Sequence, residues 1–438
     1  MKYFSIKKAL IIAVFLSLSL YGSAQEVDAT TSATTKTEVK EEKKSKLQIG
    51  GYGEVAYQRM FYSNNPDRYF HPDRHKDKTY GKFDLPHVVL SISYDFGKGW
   101  KMGTEIEFEH GGNGSSVEVE ITEGGEFEQE VEKGGEIVLE QFWIEKSFSD
   151  ALNLRLGHII VPIGLTNQYH LPTEYFSVLR PEEDATMIPC TWHETGVSLW
   201  GRVGDWRYEG QFLAGLDAER FGDSNWIQGG SVSPYEFKMA TQYAGAARID
   251  NYSIPGLRMG LSGYFGYSML NSVKAGHYEG MGKGAVTVGA FDAVYDDRNI
   301  LARTSVIYGH LSDSEIISRL NKGLQSASPS PRTDVASDVL SYYVEAGYDI
   351  LSLFNCKKDD SKLYVYGHFG YYNSMYKIQG KITAKPYWKR NVYSAGINYF
   401  PIKEVVIKAE YAYRKIDNPY NDEPTISLEV AYAGFFTK

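Results

Sequence analysis

The side chains with most chemical potential in this sequence are charged residues spaced two apart. Over Trp100–Glu109 the odd positions carry Lys101, Glu105, Glu107 and Glu109, and over residues 206–216 Arg207 and Glu209 share a face with Gln211. Rows of acid and base at that spacing orient ions and small polar solutes; they do not activate a nucleophile. His193-Glu194 raises the idea of a metal ligand beside a general base, but a helical H-E-x-x-H needs a second histidine at the position held by Val197. The pair is read instead as hydrogen-bonding groups that pin a loop. His71 and His75 lie in a charged segment where Pro72 opposes a helix that would present them together. No serine nucleophile or paired-acid motif rises above background. The two cysteines, Cys190 and Cys356, exclude a disulfide scaffold and a Cys-rich zinc site. No catalytic residue, metal ligand or cofactor is expected.

The elements that carry those charges follow a period of two. In residues 206–216, Trp206, Tyr208, Phe212, Ala214 and Leu216 oppose Arg207, Glu209 and Gln211. In residues 405–414, Val405, Ile407, Ala409, Tyr411 and Tyr413 oppose Lys408, Glu410 and Arg414. A strand separates such sets automatically and a helix cannot. Sixteen runs of this kind begin near Leu47, Phe83, Trp100, Ile137, Leu152, Gly196, Trp206, Gln242, Leu257, Ala285, Ile300, Val339, Lys362, Asn391, Val405 and Ile426. The fourth and eighth are the weakest. Around Glu140 and Gln141 the alternation changes phase, which predicts a bulge, and residues 243–249 are rich in alanine.

Connection lengths alternate as well. Long segments follow the odd runs (63–82, 111–136, 163–195, 217–241, 271–284, 311–338, 374–390 and 417–425), and short Gly-, Asp-, Asn- and Pro-containing turns follow the even ones. A soluble sandwich has no reason to gather every long loop at one end; an outer-membrane barrel does. The expected fold is therefore an all-β, sixteen-stranded antiparallel transmembrane barrel. Its apolar parity meets lipid, its polar parity lines the lumen, and its bore is too wide for side chains alone to fill. Tyr94, Phe96, Trp100, Phe148, Trp206, Tyr399 and the last aromatic run fall where interfacial girdles sit.

Composition agrees. Of 438 residues, 42% are hydrophobic and 14% aromatic, with 34 Tyr, and the net charge of −9 disfavours a nucleic-acid partner. Residues 1–24 read as a signal peptide: Lys2, Lys7 and Lys8 precede a short apolar stretch that ends in Gly22-Ser23-Ala24. Residues 25–46, rich in Thr, Glu and Lys, read as a flexible periplasmic leader. The barrel occupies 47–438. Within its loops, the acid run 118–132 reads as a hairpin raised above the membrane, or as a site for divalent cations bridging lipopolysaccharide. Ser312 with Glu315 forms a capping box for a short helix. Cys190 and Cys356 are expected at opposite ends of the barrel, too far apart to bridge.

Leu154-Arg155-Leu156-Gly157-His158 running into Val161-Pro162-Ile163-Gly164-Leu165, then Arg180-Pro181 and Trp192-His193-Glu194-Thr195-Gly196-Val197, resembles the phosphate-selective porin O and P family in its broad sense. So does the end, with Tyr393-Ser394-Ala395-Gly396-Ile397-Asn398-Tyr399 and Val406-Ile407-Lys408-Ala409-Glu410-Tyr411. The resemblance spans about residue 47 to the C-terminus. It implies a usually trimeric outer-membrane channel, surrounded by lipid and lipopolysaccharide, whose third external loop folds inward. Here that loop is 163–195, with Arg180, Glu182, Glu183, Asp184, His193 and Glu194 at the constriction. Anion-selective members carry dense lysine ladders. In this chain the inferred lumen face is mixed: Arg155, Arg202, Arg207, Arg248, Arg258, Arg303, Lys408 and Arg414 stand among Glu54, Glu105, Glu107, Glu109, Glu209, Glu345 and Glu410. Rings of one sign set selectivity, and neither sign dominates. The expected activity is passive diffusion of small hydrophilic solutes or ions through a weakly selective porin. The alternatives are an anion- or phosphate-selective channel of the same fold and, from another class, a surface adhesin or barrel enzyme with a blocked pore.

Overall fold

A computed structural model describes residues 46–111, 117–121, 127–131, 137–231, 239–272, 275–324, 328, 330–354 and 361–437. The stretch read as a signal peptide, all but the last residue of the stretch read as a leader, and Cys356 lie outside the described residues. The wall consists of β1 (Leu47–Met60), β2 (His87–Gly97), β3 (Trp100–Glu109), β4 (Ile137–Ser149), β5 (Leu152–Ile160), β6 (His193–Val203), β7 (Trp206–Ala214) and β8 (Tyr243–Ile254). It continues through β9 (Leu257–Tyr267), β10 (Ala285–Asp297), β11 (Ile300–Leu311), β12 (Asp338–Asp349), β13 (Lys362–Lys377), β14 (Lys389–Ile402), β15 (Val405–Lys415) and β16 (Glu423–Phe435). Each strand pairs antiparallel with its neighbour in sequence, and β1 closes on β16 from Gly50 opposite Phe435 to Met60 opposite Thr425. The result is a closed sixteen-stranded barrel. A short strand, Tyr80–Asp84, extends β2 upward along β1. Pro86, which has no N–H to give, separates the two pieces.

The pleat sorts side chains as the alternation requires. Leu261, Val344 and Leu428 point outward and are 59%, 50% and 49% exposed, while their inward neighbours Ser262, Glu345 and Glu429 are 5%, 1% and 2% exposed. An apolar belt of that extent is foreign to a water-facing surface. Against hydrocarbon it is the stable arrangement, because closure leaves no strand with an open edge. Phe96, Trp100, Phe148 and Trp206 lie exposed at the short-turn end, at interface height. Those turns are tight: Lys98-Gly99 and Arg298-Asn299 have φ of 56° and 75°, and of 51° and 65°, the left-handed pairs that match strand twist. Among the described residues no helix is long and apolar enough to cross a membrane.

Two irregularities interrupt the ladder near the weak runs. Glu105 pairs with Gln141 and the next residue, Ile106, pairs with Leu139, so Glu140 is the extra residue of a bulge, where the change of phase places it. β8 is regular through its alanines and shifts only between Asn251 and Ile254, at its turn. In the long loops, Val117–Ile121 pairs with Phe127–Val131 as the expected hairpin. Among the described residues two α-helices occur there, α1 (Glu182–Ala185) and α2 (Ser314–Lys322). The expected cap of α2 is corrected: the helix begins after Asp313, and no side chain caps it. Ser312 Oγ instead donates to Asp313 and accepts from the Ala285 amide, while Glu315 reaches out to the Lys381 amide.

Leu428→Arg, at mid-height on the lipid face of β16, should cost ~2–4 kcal/mol of folding free energy in lipid vesicles, whereas arginine in place of Trp206 at the rim should cost about 0–1 kcal/mol. Urea titration of vesicle-embedded protein measures both, and equal costs would contradict the assigned depths.

Candidate permeation pathway

The long connection between β5 and β6, residues 161–192, turns into the barrel. A clasp closes its base: Asn167 Nδ2 donates to the Ile163 carbonyl at 2.9 Å, and Asn167 Oδ1 accepts from the Trp192 amide at 2.7 Å. Ile163, Met187, Ile188 and Trp192 are wholly buried there. Ser262 Oγ of β9 accepts from the Gly164 amide, and Arg248 of β8 donates to the Gly164 carbonyl. On the far side, Asn398 donates to the Phe176 carbonyl at 3.0 Å and Lys408 to that of Ser177 at 2.9 Å. Phe176 stacks on Tyr366 of β13 with ring centroids 4.9 Å apart.

The acidic turn α1 completes the docking. Arg414 Nε donates to Glu182 at 2.7 Å, His368 Nε2 lies 3.0 Å from Glu183, and Ser305 Oγ donates to Asp184 at 3.0 Å. Burial pushes the Asp184 carboxyl up to about 6, against the opposing hydrogen bonds from Thr166 and Ser305. Burial likewise pushes His170, in the same loop, down to about 4. Arg180 bonds the Tyr52 hydroxyl of β1 at 3.1 Å. The inward loop that the family resemblance implies is thus present, with Arg180, Glu182, Glu183 and Asp184 on it. His193 and Glu194 are a correction: they are the first residues of β6, paired with Ile160 and Ile159, because the ladder with β5 extends that far. His193 Nδ1 lies 2.5 Å from His158 Nε2 across that ladder.

This loop corrects the picture of a broad open bore. On the side formed by β8 to β16, most lumen-facing charges are buried against it and matched by opposite charge. Arg248 and Arg258 share Asp250 and Asp292 at 2.5–2.9 Å, and Arg303 holds Glu345 at 2.7 Å. Lys408 holds Glu429 at 3.2 Å, and Glu410 accepts from Tyr366 at 2.7 Å. The sector formed by β2 to β7 carries its own pairs. There Arg155 pairs with Glu145 at 2.7 Å and lies over the Trp143 ring, and Arg207 pairs with Glu209 at 2.5 Å. Gly103 makes room for that ring: a Cβ on it would come within 2.3 Å of Trp143. Arg202 is exposed near the short-turn end, over Tyr252. Glu54, Glu105, Glu107 and Glu109 line the wall from β1 to β3, and among the described residues none has a lysine or arginine within ion-pair distance. A cavity of about 360 Å³ remains between loop and wall, bounded by Arg180, Glu182 and Glu183 of the loop, by Asp84, His87 and His110, and by His368, Ser394, Glu410 and Arg414 of β13 to β15.

The sequence reading missed Glu145, Asp250, Asp292, Glu429, His87, Glu140 and His170. For one of these a signal existed: the short turn between β4 and β5 fixes register and places Glu145 opposite Arg155. Asp250 faces Arg207, and Glu429 faces Lys408, across strands joined by longer connections that leave the register open in the sequence. His170 comes from the loop, and no strand period announces it.

No family model matches the chain. A protein of Aquifex aeolicus strain VF5, described only as uncharacterized, is 24% identical over 377 residues, 84% of this chain and 76% of that protein. Among solved structures, Salmonella typhi OmpF in complex with daunomycin is similar with a TM-score of 0.52 at 10% identity, over 89% of this chain and 97% of its own. The anion-selective porin from Comamonas acidovorans aligns with a TM-score of 0.49 at 11% identity, over 89% and 99%. The barrel has the fold of OmpF. With its lipid-facing belt, the chain is an outer-membrane β-barrel of that fold.

Asp184 carries a pH dependence of known sign. Its folded value near 6 lies above the ordinary 3.8, so the folded state holds the extra proton between those values and stability falls as pH rises through that window. Asp184→Asn should therefore stabilise the barrel by up to ~3 kcal/mol at pH 7.5 and hardly at all at pH 3.5. Thermal unfolding in detergent at the two pH values reads the difference; a gain of equal size at both would contradict the assignment.

Proposed function

We propose that the protein is a passive channel for small hydrophilic solutes and ions, with a narrow route beside the inward loop and a modest preference for cations. One observation carries this reading. The lysines and arginines on the β8–β16 side are neutralised by carboxylates, while Glu105, Glu107 and Glu109 face the route without a lysine or arginine partner among the described residues. The sign of the charge that remains unneutralised at a constriction sets selectivity. Phosphate recognition requires arginine or lysine donors free to fork onto oxyanions. Of the arginines and the lysine placed on the lumen face and the inward loop from Arg155 to Arg414, Arg180 and Arg202 have no carboxylate partner among the described residues, and Arg180 is spent on Tyr52 and on the carbonyls of His170 and Cys190. The family resemblance adds trimeric assembly in the outer membrane to this proposal.

Reconstituted in planar bilayers, the protein should give stepwise ohmic conductance and a reversal potential of cationic sign in a KCl gradient. Added phosphate should leave the current unblocked. Glu105→Gln combined with Glu107→Gln should move the reversal potential toward zero. An anionic reversal potential with phosphate block would establish the anion-selective reading, and silent insertions throughout would favour the adhesin.

A further inference from the structure

Two groups of ligand-type side chains stand one step apart on the lumen face of β2–β4. In the first, the ligand atoms of His87, Glu107 and Glu109 all lie within 4.8 Å of one another; in the second, those of Glu105, Glu140 and His170 do so. Glu105, Glu107 and Glu109 are successive inward positions of β3, so the groups are offset by about 7 Å, two residues of strand rise. Neither is a plain acidic patch, since each contains one imidazole, and the two imidazoles come from different elements, β2 and the inward loop.

Independent observations point to a missing partner. Glu140 is wholly buried, and among the described residues its Oε1 has no partner within hydrogen-bond geometry; its Oε2 accepts from the Tyr52 hydroxyl at a long 3.4 Å. Glu107 is 5% exposed with Oε1 equally unbonded, 3.8 Å from His87 Nε2. Both ring nitrogens of His170 are buried without a hydrogen-bond partner among the described residues. A buried carboxylate lacking a partner is costly. The nearest fixed cation, Arg180, bonds Tyr52 rather than these oxygens. His87 also has the support expected of a ligand: its Nδ1 faces the Glu54 carboxylate, and with the proton on Nδ1 the Nε2 lone pair is directed at Glu107. Drawing either group onto one ion requires its donors to close to about 3.3 Å, the edge of a tetrahedron with ~2.0 Å bonds.

We propose that these two groups are binding sites for divalent first-row metal ions of the Zn2+ and Co2+ kind, set in series in the channel wall. One imidazole with two carboxylates suits such ions, whereas Ca2+ and Mg2+ prefer oxygen alone and Cu+ prefers sulfur. The inference deepens the channel reading by naming a class of ion that the wall recognises, and it is tested without reference to current.

The purified full-length barrel, folded in detergent and stripped with chelator, is dialysed against Co2+ and then Zn2+ at pH 7.5, with bound metal counted by mass spectrometry and Co2+ geometry read from its visible absorption. Wild type should retain two ions per chain. Glu140→Gln and Glu107→Gln should each lose one, and His170→Asn should remove the same ion as Glu140→Gln. Glu410→Gln, on the opposite wall, should retain both. Each variant is scored only when its circular dichroism and heat-modified gel mobility match wild type. Should wild type retain no more metal than a barrel with glutamine at 105, 107, 109 and 140, the sites do not exist, and the conductance result stands unaffected. Should metal bind while bilayers stay silent, the sites stand and the channel reading falls.

Discussion

The requirement that no peptide group face hydrocarbon without a hydrogen bond underlies every other feature of this molecule. It forces the sheet to close, and the ladder between β1 and β16 meets it. Closure then makes parity binding: a residue turned from lipid can only face the lumen. The charged half of each strand is thereby concentrated into one confined space, where it must be solvated, paired or covered.

The chain does all three in different sectors. Between β8 and β16 it pairs and covers, because the inward loop excludes water and a lone buried ion would be costly. Arg248, Arg258, Asp250 and Asp292 share their charges in one cluster, and loop carbonyls take donors that would otherwise remain unbonded. Against β1 to β4 the loop also reaches the wall, with Arg180 on Tyr52 and His170 beside Glu105 and Glu140, but among the described residues it brings no lysine or arginine into ion-pair distance of Glu105, Glu107 or Glu109. The docking of the loop is therefore also what decides the electrostatics of the route, since it removes bases from play on one side and leaves acids in play on the other.

Much of the wall was legible because strand period and turn chemistry are local. The sequence starts agree with the observed strands to within a few residues, and the phase change at Glu140 correctly marks a bulge. The inward fold of 161–192 rests on family resemblance alone; nothing in its spacing says which way a loop turns. Placing His193 and Glu194 in that loop failed because the β5–β6 ladder runs higher than alternation alone shows. The Ser312 cap failed because a hydroxyl in a crowded barrel mouth finds nearer partners than its own helix. Cross-strand pairs such as Arg303 with Glu345 need register rather than pattern, and His170 needs the tertiary path of the loop.

The extra residue at Glu140 has an evolutionary corollary. Leu139 and Gln141 already face consecutive partners on β3, so excising the residue between them would leave an uninterrupted ladder with both flanks in their present orientation. A single codon gained or lost at this point adds or subtracts one interior carboxylate while the belt toward the bilayer is untouched. Barrels built this way can retune their inner chemistry by length change, a mutation ordinarily ruinous in a pleated strand.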